Sequence, residues 1–210
     1  MIGIIDTESQ NIGSLINCLN HLNIKSSLLK KPEETKTFKK IILPGVGSFD
    51  SVMTSLKKKN FSEINLKEIL KTKEILAICI GLQILFHKSE EGKHKGINIF
   101  EKKIKIKNLK NIGCKEPVPH VGYNSVILKN KKPNDIISNN DYYFTHSYAL
   151  ENNSNKVNFD QIGLTTYGNI KFISYFVYKN IIATQFHPEK SGLTGLNFLK
   201  SFYVKKKNNI

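Results

Sequence analysis

Two rhythms of hydrophobic and polar positions run along this chain. Up to about residue 95, short apolar runs alternate with stretches whose apolar residues recur three and four apart. Residues 1–6 read as a strand. Ile12, Leu15, Ile16, Leu19 and Leu22 share one face of a helix predicted over residues 11–22. Residues 25–29 read as a second strand. Residues 40–43 read as a short buried strand, closed by Pro44-Gly45-Val46-Gly47. Ser48 is placed to cap a helix that includes Met53 and Leu56. A short amphipathic helix follows over residues 64–70. An apolar run then meets Cys79, and a second apolar run predicts a helix. This half reads as βαβα units on a parallel sheet.

Beyond that point the pattern is of strands separated by turns rich in Asn, Lys and Gly. Residues 97–100, 103–107, 125–128, 142–145, 161–165, 172–177 and 181–186 all read as strands. Residues 129–140 and 151–158 read as polar loops, and 193–203 as a last helix. The lysine-rich tail, residues 205–210, is expected to fray. No repeat or linker divides the chain. The expected architecture is a single α/β domain over residues 1–204. It is a doubly wound, mostly parallel sheet with additional antiparallel strands.

Length and composition fit one globular domain with a real core: 210 residues, 40% of them hydrophobic. There is no apolar run of about 18 residues, so no membrane span is expected. Met1-Ile2-Gly3-Ile4-Ile5-Asp6 enters a strand pattern without the charged start and cleavage site of a signal peptide. Cys18, Cys79 and Cys114 are too few and too scattered for a disulfide framework or a zinc knuckle. A reducing, cytoplasmic location is the expectation. The six histidines are not spaced as a metal set, so neither metal nor other cofactor is expected.

The formal net charge of +15 changes the picture less than its size suggests. All 32 basic residues are lysines. Arginine's planar fork, the usual reader of phosphates and base edges, is absent. Biased coding and a solvated lysine surface explain the charge better than nucleic-acid recognition. An acidic protein partner remains compatible with it.

The chemistry concentrates in Ile75-Leu76-Ala77-Ile78-Cys79-Ile80-Gly81-Leu82-Gln83-Ile84-Leu85-Phe86. A strand, a cysteine and a helix in this order describe a nucleophile elbow, with the thiol exposed at a sheet edge near a helix N-terminus. Gly81 permits tight packing there. The Ile80 amide would point at a developing oxyanion. A buried structural cysteine is the plain alternative. Downstream, Gln185-Phe186-His187-Pro188-Glu189 supplies an imidazole at a strand end, with a carboxylate two residues on to orient it. Leu43-Pro44-Gly45-Val46-Gly47 is a strand entering a glycine-rich turn, where Val46 or Gly47 is placed to add a second oxyanion donor. The lysine and hydroxyl of a phosphate loop are missing from it. Pro119-His120-Val121-Gly122-Tyr123-Asn124 and Tyr142-Tyr143-Phe144-Thr145-His146-Ser147-Tyr148 also combine aromatic, His and Gly residues. Spacing alone gives them no role.

These blocks, together with Ser89-Glu90-Glu91-Gly92 and the extension Lys190-Ser191, resemble the class I glutamine amidotransferases. The resemblance covers nearly the whole chain. The Pro119–Asn124 and Phe144–Tyr148 blocks are similar to those of the HisH-type glutaminase subunits of imidazole glycerol phosphate synthase. The resemblance implies that Cys79, His187 and Glu189 form a triad that hydrolyses L-glutamine through a γ-glutamyl thioester. It implies that Gly47, Gln83, His146, Ser147 and Tyr148 line the glutamine pocket, and that the Val46 and Ile80 amides form the oxyanion hole. The glycine-rich loop is expected to rearrange before that hole is complete. Ammonia would pass to a (β/α)8-barrel synthase subunit in a heterodimer. That subunit makes imidazole glycerol phosphate and an aminoimidazole carboxamide ribonucleotide in histidine biosynthesis. Asn11, Tyr123, Tyr143 and Lys190 match positions near the interface.

The main alternative keeps the glutaminase chemistry and changes the acceptor, as in HisH-like paralogues that supply ammonia for amidation of surface-polysaccharide sugars. A non-catalytic basic binding module and a free-standing γ-glutamyl or peptide hydrolase are the readings from other classes.

Overall fold

The computed structural model describes residues 1–8, 12–100, 102–129, 137, 140–152 and 157–204. Asn11, the tail 205–210 and most of the two polar loops predicted from the sequence lie outside the described residues. The first half alternates as expected: β1 (Ile2–Ile5), α1 (Ile12–His21), β2 (Ser26–Leu29), β3 (Lys40–Leu43), α2 (Phe49–Lys58), α3 (Glu63–Thr72), β4 (Glu74–Ile78) and α4 (Ile80–Gln83). Then come β5 (Lys88–Ser89), β6 (Lys105–Asn108), β7 (His120–Ser125), β8 (Ile127–Leu128), β9 (Asp141–His146), β10 (Tyr148–Glu151), β11 (Gln161–Tyr167), β12 (Ile170–Tyr178), β13 (Ile181–Thr184) and α5 (Gly192–Val204).

Among the described residues one sheet of eleven strands runs β2-β1-β3-β4-β13-β12-β10-β6-β5, with β11 added beside β12 and β8 beside β11. The pairs β2/β1, β1/β3, β3/β4 and β4/β13 are parallel. From β12 onward the pairings are antiparallel, except β5/β6. Strand order reverses at β1. With right-handed crossovers, that reversal sends α1 to one face of the sheet and the α2–α3 connection to the other. The parallel strands are therefore covered on both faces. This accounts for β1 and β13 being buried throughout rather than in alternation.

Two sequence expectations change. The helix after Cys79 is a single turn, not a run to Phe86. The carbonyls of Ile84, Leu85 and Phe86 accept the N–H groups of Ile97, Ile99 and Asn98 instead of continuing a helix. For the same reason residues 97–100 form no strand. Their hydrogen bonds are spent on the back of that turn.

The elbow is fixed by glycine. A Cβ on Gly81 would lie 2.1 Å from the Leu43 carbonyl oxygen, and one on Gly45 would lie 2.2 Å from the Gly81 amide nitrogen. The strand-end loop after β3 thus packs backbone-to-backbone on the turn after β4.

A separate antiparallel ribbon, β7 with β9, covers this end of the sheet. Its inner face buries Tyr142, Phe144, His120 and His146. His120 stacks on Tyr167 with ring centroids 4.0 Å apart and on Phe144 at 4.9 Å. The Tyr148 carbonyl can only accept, so His146 Nδ1 donates to it at 3.0 Å. His146 Nε2 therefore accepts, and the His120 Nδ1–H, 3.1 Å away, donates. His120 Nε2 in turn accepts from Asn124 Nδ2 at 3.3 Å. Both rings are neutral in this chain. Burial pushes the His120 pKa down to about 4. Burial and then the neighbouring His120 push that of His146 down to about 3.

Two outcomes are expected. Gly81→Ala should cost about 2 kcal/mol or more, because backbone rather than a flexible tip must give way. Gly13→Ala, where a Cβ meets nothing within 4 Å on α1, should instead raise stability by roughly 0.5–1 kcal/mol. Urea unfolding compares the two. The histidine pair makes the fold acid-sensitive. Above pH 6.5 both rings are neutral whether the chain is folded or not, so the stability they permit is fully present. As pH falls from 6.5 toward 4, the unfolded chain binds protons that the folded chain refuses. Stability should fall by up to about 1.4 kcal/mol per pH unit for each histidine in that window. Urea midpoints between pH 7 and 5 should drop less steeply in His120→Gln.

Candidate active site

Three neighbouring parallel strands deliver the chemistry to one edge. The loop Pro44–Gly47 leaves the carboxyl end of β3, Cys79 leaves β4, and Gln185-Phe186-His187 leaves β13. This is the edge where open α/β sheets bind ligands. Cys79 adopts φ 51° and ψ −107°, a strained conformation for any residue with a Cβ. It is held from both sides. Its N–H donates to the Thr184 carbonyl at 2.7 Å, extending the β4/β13 pairing, and its carbonyl accepts from the Gln83 N–H.

His187 and Glu189 flank Pro188, which starts a turn of 3-10 helix (Pro188–Lys190). His187 Nδ1 lies 2.8 Å from Glu189 Oε1, and both side chains are almost fully buried. With Nδ1 on the carboxylate, Nε2 is the nitrogen left to face the Cys79 sulfur across the cavity floor. Burial opposes charge on this ring. The Cys79 sulfur and then Glu189 outweigh burial and push the His187 pKa up to about 10. A protonated imidazole beside a sulfur favours thiolate.

A cavity of about 280 Å³ opens over Cys79 and His187. All of the residues expected around glutamine line it: Gly47, Gln83, His146, Ser147 and Tyr148. His146 serves as wall only, since both its ring nitrogens are committed to His120 and Tyr148. Gln83 is fully buried, and its Oε1 has no hydrogen-bond partner among the described residues. It is a waiting acceptor. Val46 and Ile80 line the same cavity. The Ile80 N–H donates to the Gly45 carbonyl at 3.4 Å, so this amide is turned onto the loop rather than committed to a ligand. Gly47 has φ 113°, which other residues adopt only with strain.

Sequence reasoning gave no role to Glu91, yet it is the one carboxylate among the residues lining the cavity. Its Oε2 accepts the Phe49 N–H at the start of α2, 2.9 Å away. Burial raises its pKa, the Phe49 bond opposes that, and nearby Asp50 adds to the rise. Glu91 stood in a recognised block, but a lone glutamate in a polar turn carries no periodic signal. Pro119 and Thr145, also in the lining, were missed for the same reason.

Tyr123, Tyr143 and Lys190 come together outside the triad turn. Tyr123 Oη donates to the Lys190 carbonyl at 3.0 Å, the two tyrosine rings meet edge to face at 5.6 Å, and Lys190 Nζ sits 5.8 Å over the Tyr143 ring. The backbone of Tyr143 also holds the triad turn. Its carbonyl accepts the His187 N–H at 2.8 Å, and its N–H donates to Ser191 Oγ at 2.9 Å. Among the described residues no group of His, Cys, Asp and Glu is arranged to hold a metal ion, and no helix is long and apolar enough to cross a membrane.

The family model for class-I glutamine amidotransferases matches residues 3–206. The chain is 37% identical over 206 residues to an imidazole glycerol phosphate synthase subunit HisH from Leptospira interrogans, covering 96% of this chain and 98% of that one. It is 39% identical over 205 residues to the subunit of that name from Caldanaerobacter subterraneus subsp. tengcongensis, covering 96% and 97%. It is 34% identical over 207 residues to imidazole glycerol phosphate synthase hisHF from Schizosaccharomyces pombe, where it covers 96% of this chain but 38% of the relative. Among solved structures, PurLQS from Thermotoga maritima shares the fold at a TM-score of 0.68 and 15% identity, over 97% of this chain and 98% of that one. The chain belongs to the class-I glutamine amidotransferases.

Proposed function

We propose that this chain is the glutaminase subunit of an imidazole glycerol phosphate synthase, working in histidine biosynthesis. The observation that carries the chemistry is the joint placement of Cys79, His187 and Glu189 at the strand edge beneath one amino-acid-sized cavity. The acceptor is argued from the relatives, which carry the synthase name over their full lengths. The sugar-amidation alternative has no comparable support.

In this reading the α-ammonium of L-glutamine sits between Glu91 and Gln83 Oε1, and its carboxamide reaches Cys79. The thiolate attacks the carboxamide carbon. The His187 imidazolium gives its proton to the departing nitrogen, which leaves as ammonia, and a γ-glutamyl thioester remains. Neutral His187 then takes a proton from water. The resulting hydroxide attacks the thioester and releases glutamate, regenerating thiolate and imidazolium. Glu189 keeps the ring oriented and its cation stabilised. The negative oxygen of each tetrahedral species needs donors. The Ile80 N–H must leave the Gly45 carbonyl, and the Val46 N–H must turn inward beside it. Gly45 and Gly47 give the loop the freedom to do so.

The Tyr123–Tyr143–Lys190 cluster is the surface assigned to the (β/α)8-barrel partner in a cytoplasmic heterodimer, and Asn11, outside the described residues, is assigned to it by resemblance alone. The matched share of the fused yeast relative leaves most of that protein for such a second unit.

Glutamate release by the purified chain, alone and with a barrel subunit and its nucleotide ligand, tests the reading. Weak turnover alone and a rise of about 10²–10³-fold with liganded partner are expected, the value of completing an oxyanion hole. Val46→Pro should bring the stimulated rate down to about the level of the chain alone. Cys79→Ala should abolish turnover in every mixture. Cys79-dependent turnover that ignores the histidine-pathway partner would move the acceptor elsewhere.

A further inference from the structure

We propose that Gln185 is a further catalytic residue, whose side-chain N–H donates to the Cys79 sulfur and, beside His187, holds it as thiolate. Gln185 is fully buried, directly after β13, with its Nε2 3.5 Å from Cys79 Sγ. A thiol has one proton to give, and His187 is the base that takes it. A thiolate accepts several hydrogen bonds, so a second donor favours the charged sulfur over the neutral one.

The direction of this bond is dictated by a backbone group. The Tyr148 carbonyl is an acceptor only, and Gln83 Nε2 lies 3.1 Å from it. That sets which end of the Gln83 amide faces Tyr148. The remaining N–H of Gln83 reaches Gln185 Oε1 at 3.4 Å. With its oxygen so occupied, Gln185 can present only N–H to the sulfur. Neither amide is free to flip without placing like against like.

The same constraint leaves Gln83 Oε1 as a buried acceptor without a partner among the described residues, on a residue that lines the cavity. A cationic ligand group there would draw charge through the Gln83 amide and make its N–H groups stronger donors. Gln185, and after it the sulfur, would feel that change. Substrate binding and nucleophile activation are thereby linked by two amides. This linkage rests on the glutaminase reading. The donor role of Gln185 rests only on Cys79 being the nucleophile.

The titratable groups facing Cys79 are few. His187, backed by Glu189, comes from the turn after β13, His146 from β9, Tyr148 from β10, and Glu91 from the turn after β5. The β3 loop brings none. Gln185→Met alters no charge among them, whereas Gln185→Glu adds a carboxylate beside the sulfur.

Alkylation of Cys79 by iodoacetamide, followed against pH on the whole chain without glutamine, is the test. Gln185→Met keeps the volume and loses both hydrogen bonds. Gln185→Glu keeps an acceptor for Gln83 and turns an acceptor toward the sulfur. The alkylation profile should move to higher pH in both, with the rate at pH 7 down about tenfold in Gln185→Met and further in Gln185→Glu. A folded variant with an unchanged profile overturns the proposal. Should neither variant fold, the unsubstituted chain decides. The Gln185 side-chain amide resonance, in a sample labelled with 15N-glutamine, must shift with the pH midpoint of alkylation, and one that ignores that midpoint overturns the proposal equally. Because alkylation needs no substrate, a moved profile in a chain without glutaminase activity would retire the substrate reading and keep the role of Gln185.

Discussion

Backbone lying directly on backbone, Gly81 against the Leu43 carbonyl and Gly45 against the Gly81 amide, sets the distance between the loop over the cavity and the cysteine beneath it. A single methyl group on either side would separate the two segments. The loop's carbonyl could then no longer reach the Ile80 N–H, and Cys79 would lose the packing that holds its unusual backbone angles. Strain at Cys79 is tolerated because β4 and β13 pair right up to it and the loop presses on it from above. Order in the sheet is thus converted into position for one sulfur atom.

Around that sulfur, polarity spreads from groups that have no choice. The Tyr148 carbonyl accepts from His146 and from Gln83 alike. One branch fixes the tautomers of two buried histidines and reaches Asn124. The other fixes two glutamine amides and reaches Cys79. Neither branch carries a net charge, so the charge near the sulfur is left to His187 and Glu189. The basic surface has little part in this, since no lysine lines the cavity.

The parallel half of the fold was legible because buried strands and amphipathic helices leave distinct rhythms, and because Ser48 caps α2 as its sequence position suggested. The elbow was legible from Cys79 and Gly81, since a glycine there answers a steric demand visible in the order strand, cysteine, helix. The helix beyond it was misjudged. Apolar residues from Ile84 to Phe86 fit a helix equally well, and only the later return of residues 97–99 to their carbonyls decides otherwise. Glu91 and Gln185 could not be given roles from spacing. Each acts through a partner far away in the chain, Phe49 for the one and Gln83 for the other, and local pattern is blind to such pairs.

Tyr143 belongs to two structures at once. Its ring stands in the outer aromatic cluster, while its backbone holds the turn that carries His187 and Glu189. The surface proposed for the partner and the support for the proposed catalytic histidine therefore share the same two peptide units. Divergence toward a new partner can alter the tips of Tyr143 and Lys190 freely, whereas the Tyr123 hydroxyl is tied to the Lys190 carbonyl of the triad turn. Such divergence cannot bend the ribbon that bears them without retuning the chemistry below. Related proteins that serve different partners should then share this ribbon's path while differing in its decoration, and a graft of one interface onto another should succeed side chain by side chain where a transplanted loop would fail.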